Sequence, residues 1–326
     1  MNVYDFDKTI YNGDSTIDFY LYCIKKHPKL ILNMPKQFIY IFLYIFGKYN
    51  KTQFKEHFYT FLKKLQNVDI DIENFWKRNN KKIKQFYKNI KTDNDIVISA
   101  SPEFLLEPIC NQLGINKLIA SKVDKLTGKY DGLNCYAEEK VERFREIFSN
   151  EKIDNFYSDS LSDSPLANIA DKAFIVKNED LINWSEYKPS KLSKIKSMFL
   201  SKSFILFLFV GCVNTINGIL FAYLYSLIIK DANLAFVVGY ITSLTISYLL
   251  NSFITFKERL EFKKYIKFCI SYIPNFIIQN IIVFIVYNNL GINKLIAYAL
   301  AAIIGLPVTF ILMNIFAFSK KKAKTN

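Results

Sequence analysis

The sequence predicts an α/β domain, a parallel sheet carrying a helical insertion, followed by an all-α domain of four transmembrane helices. Three observations predict it. The composition changes sharply near Ser190: before it charged and apolar residues alternate, and after it come a basic stretch and long apolar runs. Four of these runs approach or exceed the roughly 20 apolar residues that a helix needs to cross a bilayer. The first half alternates short strand-like segments with helical periodicity, the pattern of a sheet covered by helices.

In order along the chain, residues 1–4 read as a short strand, and residues 14–88 as helical by their period and paucity of Gly. A strand is expected at 95–99, a helix at 103–113, a strand at 117–120, a helix at 138–148, a strand at 155–157, a helix at 166–171 and a strand at 173–176. The membrane windows fall at 204–229, 234–256, 265–287 and 295–318. A soluble core would have to bury four such runs in succession. Only Lys267 places a charge inside them, near an end where it can snorkel. The expected division is a domain over 1–187 with its insertion at about 14–88, a basic linker over 188–201, and the membrane domain over 202–326.

The bulk numbers agree with that division. The chain has 326 residues, 51% apolar and 16% aromatic, yet 43 are Lys or Arg, an unusual mixture for one soluble domain. The formal charge of +14 points to an anionic partner, nucleic acid or a membrane surface. The basic residues cluster at the membrane flanks, which favours the membrane and leaves nucleic acid unsupported. The five cysteines form no C-x-x-C pair and there are two histidines, so neither a disulfide framework nor a zinc site is expected. Catalytic groups must then be carboxylates, hydroxyls and lysines.

Orientation follows from the lysines and arginines. Lys188, Lys191, Lys194, Lys196 and Lys202 precede the first window. Lys257, Arg259, Lys263 and Lys264 lie between the second and third, and Lys320, Lys321, Lys322 and Lys324 form the tail. The other two loops carry only Lys230 and Lys294. With no apolar stretch before Tyr4-Asp5-Phe6-Asp7, both termini and the first domain are expected in the cytoplasm, on a multi-pass protein of the cytoplasmic (inner) membrane.

The membrane half echoes itself. Phe207-Leu-Phe-Val-Gly-Cys-Val-Asn214 resembles Phe268-Cys-Ile-Ser-Tyr-Ile-Pro-Asn275, and Leu250-Asn-Ser-Phe-Ile-Thr-Phe-Lys257 resembles Met313-Asn-Ile-Phe-Ala-Phe-Ser-Lys320, as in a parallel duplication. The Phe-Leu-Phe-Val-Gly opening at Phe207 and the endings at Asn251 and Asn314 resemble the GtrA-like family of small four-helix membrane proteins over about 202–320. That family has basic residues after the Asn where this chain has Ser252 and Ile315. The resemblance implies a link to cell-surface polysaccharide synthesis and carriage of polyprenyl-phosphate sugars. Asn214, Asn217, Asn251, Asn275, Gln279, Asn280 and Asn314 lie within the windows, where interhelical hydrogen bonds or a headgroup path would use them.

The chemistry-bearing residues lie at predicted strand ends and helix starts. Asp5 and Asp7, one residue apart after the first strand, point the same way and suit a division of labour between nucleophile and proton carrier. Ser99 ends the next core strand, Lys140 sits near a helix start, and Asp159 and Asp163 follow the strand at 155–157. Singly, each reads as a turn, a cap or a solvated charge. In this order they are similar to the four motifs of the haloacid dehalogenase-like (HAD) phosphohydrolases, over about 1–176. The nearest likeness is to the subfamily of phosphoserine phosphatase and phosphatidylglycerophosphatase-type enzymes, through Val97-Ile-Ser-Ala-Ser-Pro-Glu103 and Asn134-Cys-Tyr-Ala-Glu-Glu-Lys140. Ser158 stands where that pattern has Gly.

The resemblance implies a Rossmann-like parallel sheet with a helical cap, and a role for each residue. Asp5 is the nucleophile that becomes an aspartyl-phosphate. Asp7 protonates the leaving oxygen and then activates water. Mg²⁺ is held by Asp5, Asp159 and the Asp7 carbonyl. Ser99 and Lys140 bind phosphate, and Asp163 orients the metal shell or Lys140. Asp14 stands where phosphoserine phosphatases place a Glu for the serine amine, and a shorter acid there weakens a free amino acid as substrate. The stretch from Leu30 to Phe46 is nearly continuous apolar sequence, broken by Pro35 and Lys36. It is expected either to dip into the bilayer or to form the cap's own core. A phosphorylated lipid or lipid-linked glycan is the expected substrate. The alternatives are a lipid-linked sugar translocator regulated by the first domain, and a phosphatidylglycerophosphatase.

Overall fold

The computed structural model describes residues 1–115, 117–149, 151–199 and 201–318. The tail lysines 320, 321, 322 and 324, used above for orientation, lie outside the described residues, as does the end of the second echo. The chain divides into two compact units, Met1–Lys188 and Pro189–Asn326.

In the first unit, β1 (Asn2–Tyr4) leads into α1 (Ser15–Lys26), α2 (Met34–Ile45), α3 (Lys51–Tyr59), α4 (Val68–Asn79) and α5 (Gln85–Ile90). Then come β2 (Ile96–Pro102), α6 (Glu103–Leu113), β3 (Lys117–Ser121), α7 (Glu138–Ile147), β4 (Ile153–Ser158), α8 (Ser164–Ala167), β5 (Ala170–Lys177) and β6 (Asp180–Asn183). The six strands form one sheet in the order β3-β2-β1-β4-β5-β6. The first five are parallel, and β6 is antiparallel to β5. The insertion α1–α5 falls between β1 and β2.

Strand alternation sorts the core into two layers. Tyr4, Val97, Tyr157 and Val176 face the layer shared with α6 and the insertion. Val3, Ile96, Ile98 and Phe156 face Phe144 of α7 and Leu166 of α8. Trp76 of α4, fully buried, donates its indole N–H to the Leu105 carbonyl at 2.7 Å, which ties the insertion to α6. Phe19, Tyr20, Phe58, Phe61 and Phe75 pack ring against ring inside the insertion.

One expectation needs correction here, and one alternative is narrowed. The helix expected at 166–171 is the single turn α8. Pro165 in the first turn starts it earlier, and β5 already pairs with β4 at Ala170, opposite Ile153. β6, absent from the sequence reading, adds an antiparallel edge. The stretch from Leu30 to Phe46 is a 3₁₀ segment, Pro28–Asn33, running into α2, with Pro35 in the helix's first turn. Twelve residues are too short to cross a bilayer. Only Leu30 and Ile45 of the stretch are buried, while Leu32, Phe38, Ile39 and Phe42 are exposed, so it is largely a surface rather than a core.

The second unit is helical: α9 (Lys191–Phe199), α10 (Lys202–Ser226), α11 (Ala232–Leu250), α12 (Phe262–Ile270), α13 (Tyr272–Val283) and α14 (Lys294–Leu312). Among the described residues three apolar helices, 202–226, 233–256 and the nearly continuous 262–289, are long enough to cross a membrane, with mean hydropathies of 2.1, 1.5 and 1.9. A shorter apolar stretch, Ile303–Ala317, belongs to the fourth. α11 and α14 both close in a widened π-helical turn, Asn251–Phe256 and Met313–Ala317, at the two echoed endings. Gly239 permits α11 to lie against α10: a Cβ there would stand 2.5 Å from the Ala222 backbone nitrogen. Of the membrane Asn residues, Asn214 bonds across helices, accepting from Ser243 Oγ at 2.7 Å. Asn251 and Asn280 instead donate back to carbonyls of their own helices, Ser247 and Phe276.

Candidate active site

The carboxyl ends of β1, β2 and β4 converge, which is where open α/β sheets bind ligands. The Asp5 N–H still pairs with the Tyr157 carbonyl at 2.9 Å, so its side chain is fixed by the sheet. The chain then turns sharply, with the Ile10 and Tyr11 N–H groups on the Phe6 carbonyl and Lys8 in the left-handed region at φ 60°. That turn swings Asp7 over the strand ends.

Lys140 is the electrostatic centre. Its side chain is 2% exposed, and Nζ donates to Asp5 Oδ1 at 2.7 Å and to Asp163 Oδ2 at 2.9 Å. Burial alone would lower an ammonium's pKa, but the two carboxylates outweigh it and hold the group charged. Burial pushes Asp5 upward, with Lys140 opposing. Asp163 also accepts from Ser158 Oγ at 2.7 Å. The Ser in place of Gly thus gives Asp163 a second donor.

Asp7 is held from two sides. Its Oδ1 accepts from the Ser15 backbone N–H at 2.7 Å and its Oδ2 from Ser101 Oγ. Burial and the nearby Asp14 raise it to about 6 against the pull of those donors, in the range of a proton-transfer group near neutral pH. Thr9 Oγ1 accepts from the Asp159 N–H at 2.9 Å and lies 3.4 Å from Asp5 Oδ2, linking the first motif to the fourth. Burial raises Asp159 as well. Among the described residues nothing donates a hydrogen bond to its carboxylate oxygens.

All seven residues singled out from sequence, Asp5, Asp7, Asp14, Ser99, Lys140, Asp159 and Asp163, line one cleft of about 580 Å³. Ser99 is buried and its Oγ accepts from the Ser101 N–H at 3.1 Å. Asp14 caps α1, accepting from the Ile17 N–H at 3.0 Å. The sequence reading missed Ser101, Ser15 and Thr9, and also Lys51 and Lys55 of α3, which reach the cleft from the insertion. Ser101 lies inside the quoted Val97–Glu103 motif and Thr9 just past Asp7; nothing local marks the two lysines.

As a metal site the cleft offers few ligands. Among the described residues no three or more His, Cys, Asp or Glu side chains converge in the manner of a ligand cage. Two carboxylates, Asp5 and Asp159, line the cleft close enough to act on each other and make a sparse, all-oxygen set. Such a set fits Mg²⁺, which keeps several waters and takes one or two protein carboxylates. The Asp159 oxygens, free of protein donors, are open to it.

The family model for haloacid dehalogenase-like hydrolases matches residues 3–168, half of the chain. The chain belongs to that family. A second model, the GtrA/DPMS transmembrane domain, matches residues 206–318, and with its long apolar helices the chain is a membrane protein. Its HAD part is similar to the protein CicA of Caulobacter vibrioides, 32% identical over 83 residues, covering 24% of this chain and 37% of that protein. It is also similar to a histidinol-phosphatase of Neisseria meningitidis, 29% identical over 96 residues, covering 26% of this chain and 43% of that one. The chain thus spans less than half the length of these relatives. A phosphoserine phosphohydrolase-like structure from Francisella tularensis aligns at 14% identity and TM-score 0.36, over 55% of this chain and 88% of that one.

Proposed function

We propose that this protein is a membrane-anchored, Mg²⁺-dependent phosphatase that removes a terminal phosphate from a phosphorylated lipid or lipid-linked glycan on the cytoplasmic side. In this reading Asp5 attacks phosphorus and carries the phosphoryl group. Asp7, held by Ser15 and Ser101, gives its proton to the leaving oxygen and takes one from the water that releases phosphate. Ser99 and Lys140 meet the phosphoryl oxygens, and Asp163 keeps Lys140 aimed. Mg²⁺, bound by Asp5, Asp159 and the Asp7 carbonyl, would supply charge neutralisation on those oxygens. Phosphoryl transfer depends mainly on such positioning and neutralisation.

The observation that carries the substrate class is the shape of the insertion. Ile17, Ile41, Phe54 and Phe58 line the catalytic cleft and also a second cleft of about 300 Å³ between α1, α2 and α3, whose walls include Leu21, Met34 and Phe38. An apolar chain leaving the phosphate site thus has a hydrophobic channel to follow, ending at the exposed face of α2. The second unit keeps such a substrate's membrane at hand. The test is hydrolysis by the full-length protein in mixed micelles. Phosphate release from an alkyl phosphomonoester should require Mg²⁺, should improve with chain length, and should vanish in Asp5→Asn. Activity retained in Asp5→Asn sinks the mechanism; equal rates for short and long chains sink the lipid assignment.

A further inference from the structure

Two of the cations lining the cleft, both on α3, have no part in that mechanism. Lys51 and Lys55 are one turn apart on α3 and both line the catalytic cleft. Among the described residues neither has a carboxylate within ion-pair distance. Lys51 Nζ sits 3.0 Å from the centre of the Tyr136 ring, a cation–π contact. Lys55 Nζ donates to the Ala100 carbonyl at 2.8 Å and to Asn134 Oδ1 at 2.7 Å, using two of its three N–H bonds on neutral acceptors. Burial brings both ammonium groups down to about 8. Like charges at i and i+4 on a helix destabilise it, and cations taken out of water without a counter-charge are costly. Lys140 meanwhile is already matched by Asp5 and Asp163. Two ammonium groups of α3 therefore line the cleft with neutral partners alone, and among the described residues neither is held in an ion pair as Lys140 is.

We infer that Lys51 and Lys55 form a second anion site, which selects substrates carrying a second phosphate or phosphodiester group a few bonds from the phosphomonoester that is cleaved. This rests on the phosphatase reading and narrows it. The substrate then has three parts: the scissile phosphate at Asp5, a second anion at α3, and an apolar chain in the cleft beyond Phe54 and Phe58. A headgroup in which a diester links the chain to a terminal monoester has this layout. A soluble bisphosphate shares only its two anions.

The experiment compares kcat/KM of the full-length protein, in detergent with excess Mg²⁺, on n-propyl phosphate and on the bisphosphates of 1,3-propanediol, 1,4-butanediol and 1,6-hexanediol. A preference of about tenfold or more for at least one bisphosphate is expected, as for a charge-assisted hydrogen bond, against twofold from having two equivalent phosphates. Lys51→Gln should cut that ratio towards two, and Lys51→Arg should keep most of it. Lys55→Gln also releases Ala100 and Asn134, so it is read on the same ratio and not on absolute rate. No preference beyond twofold overturns the inference. So does a preference that survives both Gln variants, or a loss shared equally by mono- and bisphosphate, which would place the lysines on the scissile phosphate. If the wild-type protein cleaves none of these esters, the phosphatase reading itself has failed. A diacyl lipid bearing a diester and a terminal monoester, run in mixed micelles, separates the two sources: the lipid source predicts a higher kcat/KM than any soluble bisphosphate.

Discussion

Lys140→Met removes one charge from the centre of the site and little volume. In the wild type, Nζ lies 2.7 Å from Asp5 and 2.9 Å from Asp163, whose side chains are 11% and 4% exposed. Removing one partner of a buried ion pair costs about 3 kcal/mol or more, because the remaining charge is left unanswered. For a unit of 188 residues, at about 2–4 °C per kcal/mol, that is a fall in Tm of about 6–12 °C. The pH dependence follows from linkage. Burial already pushes Asp5 up against the opposing pull of Lys140, and without Lys140 it rises further above its unfolded value. It then binds a proton more readily in the folded state, and the penalty shrinks as pH falls towards the unfolded value. Each proton taken up relieves at most about 1.4 kcal/mol per pH unit, so the deficit at pH 8 should largely close near pH 5. In the wild type Lys140 stays charged across this window, so the gap between the two proteins measures the effect. Both tryptophans, Trp76 and Trp184, belong to the first unit, so melting of the full-length protein followed by tryptophan fluorescence reports that unit. Chelator keeps divalent ions out of the balance. A deficit of equal size at pH 5 and pH 8 would show that packing, not charge, holds Lys140 in place, and no deficit at pH 8 would refute the coupling altogether.

Two further outcomes concern other parts of the molecule. Asp71, buried in α4, bridges to Lys26 at 2.6 Å and to His27 at 3.1 Å at the end of α1; Asp71→Ala should destabilise the first unit by about 1–2 kcal/mol, since its partners are partly solvated, measurable as a lower urea midpoint of tryptophan fluorescence. Gly239→Val puts side-chain atoms where the Ala222 backbone lies 2.5–2.7 Å from the position of a Cβ, and should force α10 and α11 apart, seen as loss of a monodisperse peak in detergent gel filtration, with wild-type behaviour counting against close helix contact.

What was legible in the sequence is what is local. Asp5, Asp7, Lys140, Asp159 and Asp163 could be named because each follows a strand or lies near a helix start, and Ser99 because it lies in the carboxyl-terminal half of β2; strand ends in a parallel sheet meet at one edge. The membrane windows were legible because length and hydropathy suffice. The helix expected at 166–171 failed because Ala170, Asp171 and Lys172 have weak strand preference of their own. The ladder to β4 overrides that preference, as tertiary context does for strands generally. β6 was invisible for a similar reason: Asp180-Leu-Ile-Asn183 is four residues on a sheet edge, defined by its pairing with Phe174 to Lys177.

The residues that sequence reading missed share a different cause. Lys51 and Lys55 occupy a helix whose other members include Gln53 and Glu56, and a charged i, i+4 pair on such a helix reads as a solvated face. Only the placement of α3 over the strand ends turns that face inward. The same holds for Ile17, Ile41, Phe54 and Phe58, apolar positions on three helices that become one wall when α1, α2 and α3 meet. Chemistry in this fold is carried by side chains at the ends of adjacent strands, so a single chain order records it. Selectivity is carried by faces of inserted helices, whose pairing no short motif encodes. Ser158 sits between the two cases. It belongs to the fourth motif, where the family pattern has Gly. Its hydroxyl donates to the Asp163 oxygen that also receives Lys140. A residue that only eased the turn would have no such donor, so the hydroxyl makes Ser158 a third member of the Lys140–Asp163 pair.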